Sequence, residues 1–165
     1  VDGHTLPKHP KLLPGELGCL KSHEYIFNDM LSRGFERVLI LEDDVEFIPN
    51  VQEMFSRNVG NIPHWDVLYL GGNHVTKPVP VNPVMSKVTR TFTTSSYGIT
   101  SEIARFMLGR LAGSVTQQID VLFSQLQRSK RCYSFTPSLA WQRAGHSDIH
   151  NVYVDYTNFM KPKNL

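Results

Sequence analysis

The sequence predicts an α/β fold with a mostly parallel sheet flanked by helices, and three observations carry that reading. The runs Val38-Leu39-Ile40-Leu41 and "WDVLYLGG" (65–72) have the length and continuity of strands covered on both faces. Helical apolar spacing precedes the first run and returns at 101–113 and 120–127. Strands and helices therefore alternate, with no repeats or low-complexity linkers, which is the pattern of a layered α/β domain.

Each element follows from local chemistry. Pro14 and Glu16 suit a helix's first turn, Leu17, Leu20, Phe27, Met30 and Leu31 give it an apolar face, and Gly34 stops it. The strand Arg37–Leu41 follows. Pro49 opens a short helix with Val51, Met54 and Phe55 on one face. The strand at 65–72 ends in Gly71-Gly72, and "KVTRTFTTSSYGIT" (87–100) reads as one or two Thr-rich strands. Ile103, Phe106, Met107, Leu108 and Leu111 give a helix that ends near Gly113. A helix over "IDVLFSQLQ", a short strand "CYSF" and an irregular tail from Pro137 complete the chain.

Composition sets what this domain is not. With 165 residues, 41% apolar, 19% charged and a formal net charge of +2, the chain is expected to form one domain, 1–165, whose residues 151–165 are a tail. The longest basic run is "RSKR" (128–131), too little for a phosphate-tracking stripe, so no nucleic-acid partner is expected. No apolar run reaches membrane-spanning length and no signal-peptide pattern opens the chain. Cys19 and Cys132 lack CxxC or Cys/His zinc spacing, which argues against zinc and leaves two buried thiols or a single disulfide.

The stretch "RVLILEDDVEFIPN" places Glu42, Asp43, Asp44 and Glu46 at the carboxyl end of a strand, where α/β sheets collect ligands. Like charges so close repel one another, and a hard divalent cation such as Mn²⁺ or Mg²⁺ relieves that repulsion through carboxylate and phosphate oxygens. The alternative is an acidic turn solvated by water.

Read together, "PGELGCLKSHEYIF" (14–27), "VLILEDDVEF" (38–47), "WDVLYLGG" (65–72), "SSYGIT" (95–100), "IDVLF" (119–123) and "SDI" (147–149) resemble glycosyltransferase family 25, which includes lipooligosaccharide galactosyltransferases and procollagen galactosyltransferase domains. The most specific pieces are Gly15-Glu16-Leu17-Gly18-Cys19 with Ser22-His23, and Leu41-Glu42-Asp43-Asp44-Val45. The resemblance implies a GT-A-type nucleotide-sugar fold and inverting transfer of a hexose, galactose by family, from a UDP-sugar donor to a glycan or hydroxylysine acceptor. Glu42-Asp43-Asp44 matches the family's Asp-x-Asp motif, in which the last acid binds the metal and the first lies near the ribose or a metal-bound water. Members usually begin with a further strand and helix before the Asp-Gly seen here as Asp2-Gly3, so the chain reads as a fragment.

Roles for other residues follow from position and resemblance together. Asp120, at the start of a helix, is the candidate base for the acceptor proton, against the alternative of a helix N-cap. Glu102 is a weaker competitor for that role. His23 would contact the donor diphosphate or pin its helix to the acidic loop. His146 and Asp148, in "GHSDIHN", are candidate further metal ligands beside Asp44 and Glu42. Gly71 and Gly72 would let a sugar approach the backbone or would simply make a turn. Thr93, Thr94, Ser95, Ser96 and Tyr97 would line the acceptor side with hydroxyls.

Two further classes stay open: a non-catalytic binding or scaffolding domain of the same family, and a phosphotransferase, which lacks its Asp-x-Asp-x-Thr or GxxxxGK[ST] pattern here. The expected compartment is the cytoplasm, with peripheral membrane contact, or the endoplasmic reticulum lumen for a eukaryotic chain.

Overall fold

A computed structural model describes residues 1–113, 115–147 and 152–163. Helix α1, Pro14–Ser32, starts where the sequence places it: Pro14 occupies the first turn and the Glu16 carboxylate accepts the Leu13 N–H at 2.8 Å. It ends at Gly34, whose φ of +70° is the left-handed conformation that glycine adopts without strain. Its buried stripe runs Leu17, Leu20, His23, Phe27 and Met30, so a histidine stands at a core position.

Strands β1 (Arg37–Leu41) and β2 (Val45–Phe47) follow, then α2 (Val51–Asn58) and β3 (Val67–Tyr69). The chain continues through β4 (Asn73–His74), β5 (Val79–Asn82), β6 (Met85–Lys87), β7 (Thr91–Phe92) and β8 (Ser96–Thr100). Helices α3 (Ser101–Leu111) and α4 (Ile119–Leu126) precede β9 (Cys132–Phe135), β10 (Ala140–Gln142), β11 (Gly145–Ser147), β12 (Val152–Val154) and the short α5 (Thr157–Met160).

The main sheet has six strands in the order β1-β8-β3-β9-β6-β5. It corrects the expectation of a mostly parallel sheet, since β3 with β9 is its one parallel pair and the other neighbours are antiparallel. The cause is the connection after β3. Residues 70–95 contain short strands and turns but no helix, so β8 re-enters between β1 and β3 running the other way, as a connection without a helical crossover dictates. The segment from Pro137 is likewise not the irregular tail expected: β10, β11, β12 and α5 lie there, three-residue strands and a single turn too short to leave a periodic signal.

Alternation along β3 divides the core. Val67 and Tyr69 point into a cluster with Leu20, Phe27 and Met30 of α1, Ile103 and Met107 of α3, and Phe123 of α4. Leu68 packs on the other side with Met85, Phe135 and Leu139, under partly buried Val51 and Met54 of α2. β1 is one of the sheet's two edge strands and is covered on one face only: Ile40 is 5% exposed, whereas Leu39 and Leu41 are 55% and 46% exposed. That corrects the two-sided burial expected of its apolar run.

The parallel pair is clamped at its base. Buried Asp66 accepts from the backbone N–H of Arg131 at 2.7 Å and from its guanidinium at 2.6 and 3.1 Å, which holds the Asp66 carboxyl below its ordinary value. A carboxylate with a depressed folded-state pKa stabilises the fold above its unfolded pKa, and that contribution is lost as pH falls through the folded value. Arg131→Ala should therefore lower the unfolding midpoint at neutral pH, with the deficit shrinking as pH falls below the ordinary carboxylate value of 3.8, as followed by thermal melts across pH. A deficit independent of pH would contradict this account of the clamp.

Candidate functional site

The carboxyl end of β1 opens into a cleft of about 1220 Å³ walled by α1 (Ser22, His23), residues Val1–His4 and the β10–β11 segment (Arg143, His146). A smaller cavity of about 140 Å³ adjoins it, bordered by Glu16, Thr93, Thr94, Gln118 and Asp120. Cys19, Glu42, Gln142, Ser147 and Val154 border both, so the two spaces are contiguous.

Asp44 lies in the turn between β1 and β2. The antiparallel pairing of β2 with β10 sets Gln142 above it, and Gln142 Nε2 donates to Asp44 Oδ2 at 2.8 Å. Asp44 Oδ1 is buried with no hydrogen-bond partner. Burial, reinforced by the charges of Glu42 and Asp43, pushes the Asp44 carboxyl above its ordinary value. An orphaned, partly desolvated carboxylate oxygen beside two further acids is a donor set that suits a hard cation. Asp43 is exposed on the cleft rim.

Glu42 reaches the other way. Its Oε1 accepts from Thr94 Oγ1 at 3.1 Å and stands 3.6 Å from His23 Nε2. His23, 2% exposed, shares a 2.8 Å hydrogen bond between Nδ1 and the Tyr97 hydroxyl. His23 thus joins α1 to β8, faces the acidic end of β1 and borders the cleft.

Asp120 sits in the first turn of α4, one residue past its start, and Gln118 is the N-cap residue. Its carboxylate accepts the Val121 N–H at 2.7 Å, which uses one orphan donor of the first turn without being an N-cap. Burial is the main cause that raises its pKa, with Glu42 adding to it. Gln118 also donates from Nε2 to Glu16 Oε1, linking the start of α4 to the start of α1. Glu102, the weaker competitor, lies away from both cavities in an ion pair with Lys130 at 3.0 Å.

Several expected site residues fall elsewhere. Tyr97, Ser95 and Ser96 are 0%, 0% and 1% exposed, and the inward face of β8 takes the tyrosine into the main core, so none of them borders a cavity as an acceptor contact. Thr93 and Thr94 border the smaller cavity in their stead. Thr93 has a φ of +73°, costly for a β-branched residue, and its buried Oγ1 has no hydrogen-bond partner. Gly71 and Gly72 are required by the protein's own packing: a Cβ on Gly71 would strike the Ala140 carbonyl oxygen and one on Gly72 would strike Thr91. Neither borders either cavity. Glu42, Asp44 and His146 do not converge on one point; among the described residues, the group of three possible ligands whose donor atoms lie within 4.8 Å of one another is Cys19, His23 and Glu42. His146 is exposed on β11 in the cleft wall, and Asp148 lies outside the described residues.

Sequence reasoning missed Cys19, Gln142, Gln118 and Glu16. Cys19 and His23 stand four residues apart, which puts both on one helix face and was available as a signal. Nothing local marks Gln142, which meets Asp44 only through a pairing between residues 98 positions apart.

This α/β domain, with its acidic strand end facing a divided cleft, is consistent with a glycosyltransferase-like domain. The sequence model of glycosyltransferase family 25 (LPS biosynthesis protein) matches residues 6–79, so over that stretch the chain is similar to the family. Curated relatives agree. The chain is 38% identical over 77 residues to the mouse inactive glycosyltransferase 25 family member 3, covering 44% of this chain and 12% of that protein. It is 34% identical over 80 residues to zebrafish procollagen galactosyltransferase 1, 43% of this chain and 13% of the relative. Against human procollagen galactosyltransferase 2 it is 27% identical over 107 residues, 59% of this chain and 17% of the relative. The matches thus span about an eighth to a sixth of these relatives' length. Among the described residues no helix is long and apolar enough to cross a membrane.

The burial of Asp44 gives a testable sign. A carboxyl whose folded pKa is raised favours folding when protonated, and that advantage is lost as pH rises through the folded value. Asp44→Asn, which mimics the neutral acid, should raise the unfolding midpoint at neutral pH, and the gain should vanish below about the ordinary value of 3.8. Thermal melts of both proteins across pH check it; a destabilised variant at neutral pH would contradict it.

Proposed function

We propose that the chain is a metal-dependent hexosyltransferase domain that moves a hexose, galactose by its relatives, from a UDP-sugar to an acceptor hydroxyl with inversion. The observation that carries the proposal is the convergence of the family-matched segments 14–27 and 38–47 on one cleft, where Asp44 presents an unpartnered buried oxygen. The family description and the names of the zebrafish and human relatives support two acceptor classes, a lipopolysaccharide-type glycan and a procollagen-like protein, the latter through a hydroxylysine hydroxyl in our reading. The compartment follows the acceptor: the cytoplasm, with peripheral membrane contact, for the first, and the endoplasmic reticulum lumen for the second.

Asp44, with Asp43 beside it on the cleft rim, would hold Mn²⁺ or Mg²⁺, and His146 stands in the facing wall. The ion, when bound, supplies Lewis-acid stabilisation to the diphosphate leaving group. Gln142 fixes the Asp44 carboxylate so that Oδ1 stays directed away from its hydrogen-bonded partner oxygen. Asp120 takes the proton of the acceptor hydroxyl. Its burial raises its basicity, and the smaller cavity places it across Glu42 from the acidic strand end.

One observation favours a second reading, a non-catalytic binding domain: the relatives at 38% identity from mouse and human are named as inactive glycosyltransferase 25 family members. Transfer assays separate the two. If the chain is a transferase, Asp120→Asn lowers turnover by about a hundredfold to ten-thousandfold with UDP affinity nearly unchanged. Activity also falls on acidification, as Asp120 becomes protonated through its raised pKa. Transfer by Asp120→Asn at the wild-type rate would remove the base assignment, and absence of transfer with every UDP-hexose tried against both acceptor classes would favour the binding domain.

A further inference from the structure

We propose that Cys19, His23 and Glu42 form a binding site for a borderline-soft divalent cation of the zinc class, separate from the hard-cation seat at Asp44. Cys19 and His23 lie one helical turn apart on the inward side of α1, and Glu42 enters from the end of β1. One donor atom from each lies within 4.8 Å of the others. Zinc bonds of about 2.0–2.3 Å at tetrahedral angles put ligand atoms roughly 3.3–3.7 Å apart. The 3.6 Å between His23 Nε2 and Glu42 Oε1 matches that span and is too long for a good direct hydrogen bond.

The surroundings are those of a ligating histidine. His23 is 2% exposed, and its other nitrogen, Nδ1, is held by the Tyr97 hydroxyl at 2.8 Å. When Nδ1–H is donated to Tyr97, Nε2 carries the lone pair and faces Glu42, the outer-shell arrangement that orients metal-bound imidazoles. A thiolate, a neutral imidazole and a carboxylate together balance a dipositive charge. This donor set favours zinc over manganese or magnesium, because sulfur and nitrogen ligands select the softer ion. Burial and the nearby carboxylates of Glu42 and Asp120 push the Cys19 thiol up to about 12, so binding must release the thiol proton to solvent. Three protein ligands leave a fourth position for water, as in catalytic-type zinc sites. Cys19 and Glu42 both border the 140 Å³ cavity that could contain it.

The test needs no nucleotide, so its outcome is independent of the transferase reading. Metal-cleared protein is titrated with Co²⁺ under reducing, oxygen-free conditions while thiolate-to-cobalt charge-transfer absorption is recorded. The expected result is one equivalent of Co²⁺ bound with that band, displaced by Zn²⁺, abolished in Cys19→Ala and retained in Cys132→Ala. Tyr97→Phe should keep the band and weaken affinity by about 10–100-fold. If Cys19→Ala does not fold, protection of Cys19 from alkylation by stoichiometric Zn²⁺ in the wild-type protein, mapped by mass spectrometry, replaces it. No charge-transfer band in the wild type, a band that persists in folded Cys19→Ala, or no zinc protection of Cys19 would overturn the proposal.

Discussion

The hydrogen bond between the Tyr97 hydroxyl and His23 Nδ1, 2.8 Å long and wholly buried, joins the two halves of the site. Tyr97 is wedged on β8 between Tyr69 and Phe123, with ring centroids 6.2 and 5.0 Å away, so it has little freedom to move. Its polar tip needs a partner in that apolar setting, since an unpaired buried hydroxyl costs about 1–3 kcal/mol. His23 meets the need from α1. The bond thereby fixes the rotation of a 19-residue helix against the sheet, and Cys19, one turn earlier, is positioned with it.

That register decides what faces the acidic end of β1. The apolar stripe of α1 places His23 between Leu20 and Phe27, opposite Glu42 rather than in solvent. Glu42 is in turn held by Thr94, and by its backbone N–H to the Ser95 carbonyl at 2.8 Å. Asp44 is held by Gln142 from the far side. The acids Glu42 and Asp44, two residues apart in sequence, are thus directed to different partners, one toward α1 and the smaller cavity and one toward the β10 wall. Separating them lessens their mutual repulsion, yet burial still lifts the Asp44 carboxyl. A cation bound there would offset that cost.

The parts of this arrangement that were legible in sequence are those with local causes. Pro14, Glu16 and Gly34 bracket α1 because first turns and left-handed caps have specific residue demands. Glu42, Asp43 and Asp44 were recognisable at a strand end because an apolar run stops abruptly at them. Asp120 could be placed at a helix start, although the N-cap position is Gln118 and Asp120 lies one residue inside the helix. What escaped depends on contacts distant along the chain. The direction of β8 follows from a helix-free excursion after β3, and Gln142 reaches Asp44 through β2–β10 pairing. Tyr97 read as a cleft hydroxyl because a Thr- and Ser-rich strand gives no contrast between its two faces; burial in the core, not polarity, decides its orientation.

The proposed function makes the end of β1 the seat of a cation-bridged nucleoside diphosphate. Calorimetric titration of UDP into the protein, with and without Mn²⁺, tests it most directly. The account predicts saturable binding that requires the ion and is lost in Asp44→Asn, a variant that remains folded. UDP binding of equal strength without the ion, or unchanged in Asp44→Asn, would contradict it.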